Sequence, residues 1–342
     1  MSRKVDLLVA GAGPVGMAAA IYAARSGLDV VVCDPRSGDM DKACGEGLMP
    51  TATERLRSLD IQVSGHPIRG IAYLSSDGSH HVQAAFGGEH GMGVRRTVLA
   101  GALATEAARL GVERIDVRVD RVTQDDQGVH AAGIHARWLV AADGLHSQIR
   151  RDLGVDRPSS ATPRFGLRRH FAMAPWSDKV EVTWAEDSEA YVTPVGDQNV
   201  GVAILGGRGG SFDERLEHFP ILRDRLRGMA GGPVLGAGPL RQSSSRRVCG
   251  RVLLVGDASG YVDALTGEGI SVGLAQAEAL AQCLVADRPA DYERSWWRVT
   301  RRARALTLVL LTASQRPTLR RALLPAATRL PFLFTAGVRA AA

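Results

Sequence analysis

The sequence predicts an α/β fold in which a Rossmann-like, mainly parallel sheet is joined to an antiparallel sheet and a set of C-terminal helices. Three observations support this prediction: an apolar run that ends in a glycine-rich turn near the N-terminus, four alternating apolar stretches in the middle of the chain, and helical periodicity towards its end. The chain has 342 residues, of which 45% are hydrophobic, and this is enough for two domains with their own cores.

The N-terminal turn follows an apolar strand at residues 5–10 and precedes a helix and a second strand that ends at Asp34. Gly11 permits the tight turn, Gly13 lets the backbone approach a pyrophosphate, and Gly16 lets the helix pack closely on the strand. Phosphates bind well at a helix N-terminus, and an acid at the end of the second strand accepts hydrogen bonds from ribose. The stretch therefore predicts a dinucleotide site; the alternative is a glycine-rich turn in an ordinary α/β domain. The residues assigned to this site are Gly11, Ala12, Gly13, Pro14, Val15, Gly16, Asp34, Pro35 and Arg36.

Periodicity predicts the remaining elements in order. Further strands are expected at residues 69–76, 81–86, 114–119, 129–134, 138–142 and 251–255. The antiparallel sheet is expected from the alternating stretches at 166–173, 179–185, 189–195 and 199–205. Helices are expected at 51–59, 97–110, 212–229 and from 267 to 285, and then to the end with interruptions at Pro289, Pro317, Pro325 and Pro331. The predicted domains are a discontinuous cofactor domain (1–68, 93–152 and 248–290), a substrate domain (69–92 and 153–247) and a C-terminal helical segment (291–342).

The charge of the chain is concentrated near its end. The formal net charge is +6, and the segment from Arg294 to Arg339 has ten arginines and no acid. This segment either lies on an anionic membrane surface or, as we expect, packs on the cofactor domain and closes the substrate cavity. No nucleic-acid-binding module accompanies the charge, so we expect no nucleic-acid partner. The four cysteines have no metal-ligand or disulfide spacing, which predicts a reduced cytoplasmic location, with membrane association as an option, and no metal site.

Two other strand ends carry an acid beside a glycine. Asp143 and Gly144 follow one apolar strand, and Gly256 and Asp257 follow another, ahead of a turn at residues 266–270. With the N-terminal turn, these elements resemble those of FAD-dependent oxidoreductases of the geranylgeranyl-reductase and aromatic-hydroxylase (group A flavoprotein monooxygenase) type. The resemblance covers almost the whole chain and implies an FAD-binding domain. It assigns FAD contacts to Cys44, Gly45, Arg96, Val119, Asp143, Gly144, Gly256, Asp257, Gly267, Glu268, Gly269 and Ile270.

Each of these FAD contacts has a physical reason, and some of the residues also have an alternative interpretation. Asp257 is placed to accept hydrogen bonds from the flavin ribityl chain, or else it caps a helix. The turn at 266–270 opens a helix whose N–H groups favour negative charge on a reduced flavin. Arg95 competes with Arg96 for the place near the phosphates, and Val119 is either an adenine contact or a core residue.

Three residues are candidates for catalysis. Cys44 precedes a glycine, as in the reductase branch, and is either a reactive thiol or a small buried residue. Glu46 is either a proton donor or a turn cap that meets Lys42. Tyr191 lies in the strand at 189–195, where the reductases carry Tyr-x-Trp-x-Phe-Pro. This chain reads Tyr191-Val192-Thr193-Pro194 there and lacks the Trp and Phe.

The resemblance implies FAD as cofactor and NAD(P)H as electron donor, although no separate nicotinamide-binding unit is visible. The absent Trp and Phe favour an NAD(P)H-dependent monooxygenase that hydroxylates a hydrophobic aromatic or polyketide-type small molecule. The alternative is a geranylgeranyl-reductase-like enzyme that reduces isoprenoid C=C bonds. A third interpretation is a flavin-binding protein without turnover.

Overall fold

The computed structural model describes residues 3–36, 38 and 40–341. Its strands are β1 (Arg3–Ala10), β2 (Val30–Cys33), β3 (Gly47–Leu48), β4 (His66–Ile68), β5 (Gly70–Ser75), β6 (His81–Ala85), β7 (Gly91–Gly93), β8 (Glu113–Ile115), β9 (Thr123–Gln124), β10 (Val129–Ala131), β11 (Ile134–Ala141), β12 (Phe165–Phe171), β13 (Lys179–Trp184), β14 (Glu189–Gly196), β15 (Asn199–Gly206), β16 (Leu235–Ala237), β17 (Val248–Cys249) and β18 (Val252–Leu254). Its helices are α1 (Pro14–Arg25), α2 (Pro50–Ser58), α3 (Arg96–Arg109), α4 (Gln148–Asp152), α5 (Phe212–Leu216), α6 (Pro220–Leu226), α7 (Gly269–Val285), α8 (Asp291–Ser314), α9 (Pro317–Arg329) and α10 (Pro331–Ala341), with a 3-10 turn at Gly256–Ser259.

The first sheet has the strand order β17-β18-β11-β1-β2-β8, and its pairs from β18 to β8 are parallel. Its central strands read as continuous apolar runs because both faces are covered: Leu7 packs in the core with α1, α3 and α7, and Leu8 packs in the core on the opposite face. The carboxyl ends of β1, β2, β11 and β18 therefore meet at one edge of the sheet, which is where ligands bind in such folds.

The second sheet has seven strands in the order β16-β12-β15-β14-β13-β5-β6. Its pairs are antiparallel except for β5 with β13, which run parallel with Gly70 opposite Lys179. A small sheet, β3-β7-β4, lies against it. A Cβ on Gly93 of β7 would stand 1.7 Å from the Pro194 carbonyl oxygen of β14, so these two strands touch through backbone. The mixed α/β class with parallel and antiparallel sheets and C-terminal helices is confirmed.

Four details of the predicted elements are wrong. The strand predicted at 114–119 ends at Ile115, as β8. The helix predicted at 212–229 is two helices, because Pro220 cannot donate a backbone hydrogen bond and starts a new helix instead. The strand predicted at 129–134 reverses at Ala132, whose φ of 52° places it in a turn between β10 and β11. Pro325 was predicted to interrupt a helix, but it lies inside α9.

The C-terminal helices cover both sheets. Helix α8 packs on α7, and α9 and α10 pack on β5 and β6. The Trp296 indole is fully buried and donates from Nε1 to Ser259 Oγ at 2.8 Å, while Phe334 of α10 packs on Tyr73 of β5 with ring centroids 5.0 Å apart. No helix in the part of the chain described here combines the length and apolar content needed to cross a membrane.

Candidate functional site

The turn after β1 uses its three glycines in different ways. A Cβ on Gly11, whose φ is +112°, would lie 2.4 Å from the Ala142 carbonyl oxygen, and one on Gly16 would lie 2.0 Å from the Gly11 oxygen. A Cβ on Gly13 would meet nothing within 4 Å. Gly13 is the N-cap of α1, has no side chain to bond the free N–H groups, and is followed by Pro14 with no acid in the first turn. The first and third glycines therefore serve packing, and the second leaves an open helix N-terminus suited to phosphates.

Asp34 lies at the end of β2 with only 1% of its surface exposed. Its Oδ2 accepts from the Ala12 backbone N–H at 2.8 Å, and the Arg36 guanidinium donates to both carboxylate oxygens, at 2.9 and 2.7 Å. Burial raises the pKa of Asp34, but the hydrogen bonds from Arg36 and Ala12 outweigh it and the pKa falls below its ordinary value. Asp34 is therefore an ionised acceptor, and its partner Arg36 has a half-exposed side chain.

A second helix N-terminus faces the same edge of the sheet. The Gly256 N–H after β18 donates to Gln276 Oε1 of α7 at 2.7 Å, which ties the turn that carries Asp257 to this helix. Glu268 is the N-cap of α7 but makes no side-chain cap bond, and its Oε2 is buried without a partner among the described residues. Burial raises the pKa of Glu268. The uncapped helix N-terminus is suited to a ligand with a negatively charged ring edge.

A cavity of about 750 Å³ connects the two helix N-termini with the seven-stranded sheet. The residues predicted from the sequence that line it are Gly11, Gly13, Pro14, Val15, Asp34, Pro35, Arg36, Cys44, Gly45, Glu46, Arg96, Val119, Asp143, Gly144, Tyr191, Gly256, Asp257, Gly267, Gly269 and Ile270. Ala12, Gly16 and Glu268 were predicted as cofactor contacts and lie outside the lining. The apolar part of the lining comes from the second sheet and its neighbours: Ile71, Val180, Val182, Ala203, Leu205 and Leu240, with Tyr73 and Tyr261.

Tyr191 and Cys44 both line the cavity, but they differ in whether their hydrogens are used in hydrogen bonds. The Tyr191 hydroxyl donates to the Leu265 carbonyl oxygen at 3.0 Å, so its hydrogen is engaged. The Cys44 sulfur accepts from the Glu46 backbone N–H at 3.4 Å, which leaves the thiol hydrogen unused by that bond. Cys44 is half-buried and is a free thiol. The position of Cys44 in the wall is compatible with a role in proton transfer or in shaping the cavity.

Both oxygens of the third candidate, Glu46, are engaged. Oε1 accepts from the Arg96 backbone N–H at 2.8 Å, and Oε2 lies 2.5 Å from His170 Nε2. The Arg95 guanidinium is 3.8 Å away, so the partners are His170 and the start of α3 rather than Lys42. The backbone of Glu46 has φ 58°, a left-handed conformation that costs a non-glycine residue about 1 kcal/mol. The side-chain bonds offset that strain and hold the carboxylate in place.

Sequence reasoning missed a buried ionic group below the apolar part of the cavity. Arg164 donates to Glu189 Oε2 at 2.6 Å and to Asp263 Oδ2 at 3.0 Å, and all three are at least nine-tenths buried. Burial raises the pKa of Glu189, although Arg164 opposes the shift. Arg320 of α9 lies 3.8 Å from Glu189, which links the C-terminal helices to this group. No local motif marks these residues, because they come from four separate parts of the chain.

The tyrosines give a pH-dependent prediction. Burial raises the pKa of all five: Tyr22, Tyr73 (to about 12), Tyr191, Tyr261 and Tyr292. Because an unfolded tyrosine ionises near pH 10, the raised values stabilise the fold below pH 10, and this contribution is lost as pH rises through the folded values. We expect phenolate absorbance to rise at higher pH in the folded protein than in urea, where five tyrosines titrate near pH 10. The Tyr73→Phe variant should lose less stability between pH 9 and pH 12, and an ordinary step at pH 10 in the folded protein would contradict the burial.

An open helix N-terminus beside a buried acid, with a second uncapped helix across one cavity, defines the class of the protein as a dinucleotide-binding protein. The open space beside Gly13 fits the phosphates of FAD, and the uncapped N-terminus of α7 fits a negatively charged ring edge. Residues 4–215 match the model of a family described as FAD binding domain. The chain belongs to this FAD binding domain family and is an FAD-dependent oxidoreductase.

Named relatives and solved structures agree with this family. The chain is 30% identical to a menaquinone reductase of Mycolicibacterium smegmatis over 86% of this chain and 80% of the relative. It is 28% identical to a digeranylgeranylglycerophospholipid reductase of Methanosarcina mazei, over 79% of this chain and 72% of the relative. A flavoprotein/dehydrogenase from Cytophaga hutchinsonii superposes with TM-score 0.82 at 20% identity, covering 97% of this chain and 93% of the other. A flavin-dependent brominase superposes with TM-score 0.84 at 15% identity, covering 99% and 93%. At these identities the two structures establish the fold alone.

Proposed function

We propose that this flavoenzyme reduces a C=C bond in the isoprenoid chain of a lipid. The observation that carries the proposal is the aliphatic inner wall of the cavity, which continues directly from the residues suited to FAD. An isoprenoid chain offers only apolar surface, and burying it against such a wall is favourable at about 25 cal/mol per Å². Two relatives are named for menaquinone and for a digeranylgeranyl lipid, and both of these compounds carry isoprenoid chains.

The chemistry needs a hydride for one carbon and a proton for the other. Bound FAD, once reduced, supplies the hydride. Within the protein, the N-terminus of α1 binds phosphates, Asp34 orients the ribose, and the aliphatic wall holds the double bond and excludes water. The Cys44 thiol is our candidate for delivering the proton, because it lines the cavity and its hydrogen is not used in the bond from Glu46.

We further propose NAD(P)H as the electron donor. Lys42, Arg96 and Arg151 line the cavity at its polar side, and their positive charge suits the phosphates of a nicotinamide nucleotide as well as those of FAD. Anaerobic bleaching of the flavin absorbance on adding NADH or NADPH is the measurement that checks this.

Hydroxylation of a hydrophobic aromatic compound is the second candidate. It is favoured by β14, where Thr193 and Val195 stand at the positions of the Trp and Phe that the reductase resemblance calls for. The same water-poor cavity would protect an oxygen-activating flavin enzyme from wasteful side reactions. The two candidates differ in the product, since reduction adds two hydrogens and hydroxylation adds one oxygen.

The test uses a variant that fills the aliphatic wall. We expect Ala203→Trp to keep its FAD and to lose saturation of a geranylgeranyl lipid by at least about tenfold, because the indole occupies the place of the chain. The assay is anaerobic, with dithionite as reductant and mass spectrometry of the lipid. Gln83→Trp, on the exposed face of β6, is the matched control and should retain wild-type turnover. If the wild type incorporates oxygen into a phenol under air and does not saturate the lipid, the proposal of C=C reduction is wrong and hydroxylation takes its place.

A further inference from the structure

A row of four polar side chains, of which three are buried and Asp41 is partly exposed, connects the second sheet to the loop that carries Cys44. We call Asp41, Arg168, His170 and Glu46 the polar chain. Arg168 and His170 stand two residues apart on β12 and are 1% and 6% exposed, and Glu46 is 2% exposed. Arg168 Nη2 donates to the Asp41 carboxylate and to the Lys42 carbonyl oxygen, Arg168 Nη1 is 2.8 Å from His170 Nδ1, and His170 Nε2 is 2.5 Å from Glu46 Oε2.

The direction of every bond in the polar chain follows from Arg168. A guanidinium has donors and no acceptor, so His170 Nδ1 must accept and carries no hydrogen. The ring hydrogen of His170 therefore sits on Nε2 and is donated to Glu46, which must be an acceptor there. A doubly protonated His170 ring would place an Nδ1–H donor opposite the guanidinium of Arg168, which is also a donor. Arg168 thus selects one neutral tautomer of His170, and that tautomer selects the carboxylate form of Glu46.

The polar chain ties down both ends of one short loop. Arg168 binds Asp41 and the backbone of Lys42, and His170 binds Glu46. Between these anchors lie Cys44 and Gly45, which line the cavity. The Glu46 N–H, presented by its left-handed backbone, donates to the Cys44 sulfur at 3.4 Å.

Neighbouring backbone leaves room for this arrangement. A Cβ on Gly201 of β15 would lie 3.2 Å from Glu46 Oε2 and 3.6 Å from the His170 ring, so glycine is the residue that accommodates the pair without displacement. The Arg96 N–H at the start of α3 occupies the other oxygen of Glu46 at 2.8 Å. The carboxylate is therefore surrounded by donors on both sides.

We propose that Arg168 and His170 are positioning residues for Cys44, and that they act through the tautomer of His170 and the carboxylate of Glu46. Glu46 then has the role of an anchor for the cavity loop. The inference concerns the loop and not the substrate, so it holds for reduction and for hydroxylation alike. Its failure would leave the proposed function untouched.

The isosteric variant Glu46→Gln tests the direction of the bonds. Its amide oxygen must accept from Arg96 N–H, which turns the amide NH2 towards His170 Nε2–H and opposes two donors. His170 cannot change tautomer to relieve this while Arg168 faces Nδ1. In Glu46→Gln with Arg168→Met, the ring is free to carry its hydrogen on Nδ1 and to accept from the new amide NH2 at Nε2. Arg168→Lys keeps a cationic donor and is the matched control for charge.

Nitrogen-15 NMR of the histidine rings gives the first readout, with the His170 signals identified by their loss in His170→Gln. We expect the wild type and Arg168→Lys to carry the hydrogen on Nε2, and the Glu46→Gln, Arg168→Met double variant to carry it on Nδ1. A wild-type ring with its hydrogen on Nδ1 overturns the proposal. This measurement on the wild type decides the direction of the bonds even if a variant does not fold.

Alkylation of Cys44 by iodoacetamide, followed by peptide mass spectrometry, gives the second readout. We expect Glu46→Gln to raise the alkylation rate at Cys44 by about tenfold relative to Cys249 in the same sample, which is the size of a typical coupling between residues in one hydrogen-bond network. Cys249 is also half-buried and free, and it serves as an internal control for global loosening. An unchanged Cys44 rate in folded Glu46→Gln, or equal acceleration at both cysteines, overturns the positioning role.

Discussion

Replacing Gly13 with aspartate should produce a folded protein that no longer binds FAD. The new Cβ has open space around it, and the backbone φ of −66° is ordinary for any residue. Aspartate is also a favourable helix N-cap, so its carboxylate will bond the free N–H groups of α1. Those are the groups that phosphates require, and the added charge repels them. We expect the dissociation constant for FAD to rise at least about 100-fold, or roughly 3 kcal/mol.

Titration of apoprotein with FAD by flavin fluorescence, together with circular dichroism, checks this expectation. Gly101→Asp, at an exposed position of α3 with open space around its Cβ, adds the same charge away from the site and should bind normally. Gly16→Ala provides the contrast, because its Cβ would meet the Gly11 oxygen at 2.0 Å and should harm folding itself. Wild-type affinity in the Gly13→Asp protein would remove the α1 terminus from the FAD site.

Removing Arg164 should destabilise the fold by about 3–5 kcal/mol, the range found when one partner of a buried ion pair is deleted. Arg164→Met preserves much of the volume but leaves the carboxylates of Glu189 and Asp263 buried without their shared cation. Arg320 is 3.8 Å from Glu189 and compensates only in part. Because this group lies between the second sheet and the C-terminal helices, we expect those helices to loosen first.

Urea denaturation gives the free energy of unfolding for this comparison. Arg227→Met, which removes an exposed ion pair with Asp224, is the control and should change stability by less than about 1 kcal/mol. Adding Glu189→Gln to Arg164→Met should recover part of the loss, because one buried charge is then removed. Equal effects of Arg164→Met and Arg227→Met would show that the buried group does not contribute to stability.

Local sequence was sufficient to predict the site residues that directly follow a strand of the parallel sheet. The turn at Gly11 to Gly16, and the acids Asp34, Asp143 and Asp257, each follow a strand of the parallel sheet. The carboxyl ends of parallel strands meet at one edge, so recognising the strands also groups these residues around one cavity. The same periodicity located most strands of the second sheet.

Residues that meet only through tertiary packing were beyond this reasoning. His170 and Arg168 belong to a run of three consecutive polar residues on β12 that looks solvent-facing, yet both are buried against a loop 124 residues away in sequence. The ionic group of Arg164, Glu189 and Asp263 is dispersed in the same way. Proline was an unreliable guide to where helices end. Pro220 starts a helix, as proline often does in a first turn, whereas Pro325 lies inside α9 without ending it.

The parallel pairing of β5 with β13 affects how the chain folds while it is being synthesised. The hairpin of β5 and β6 emerges long before Lys179 and its neighbours, so the edge from Gly70 to Ser75 waits without a partner while the intervening segments are synthesised. An unpaired strand edge is a site for misassociation between nascent chains. Production of this protein should therefore be sensitive to translation speed and chaperone supply in the interval before β13 emerges.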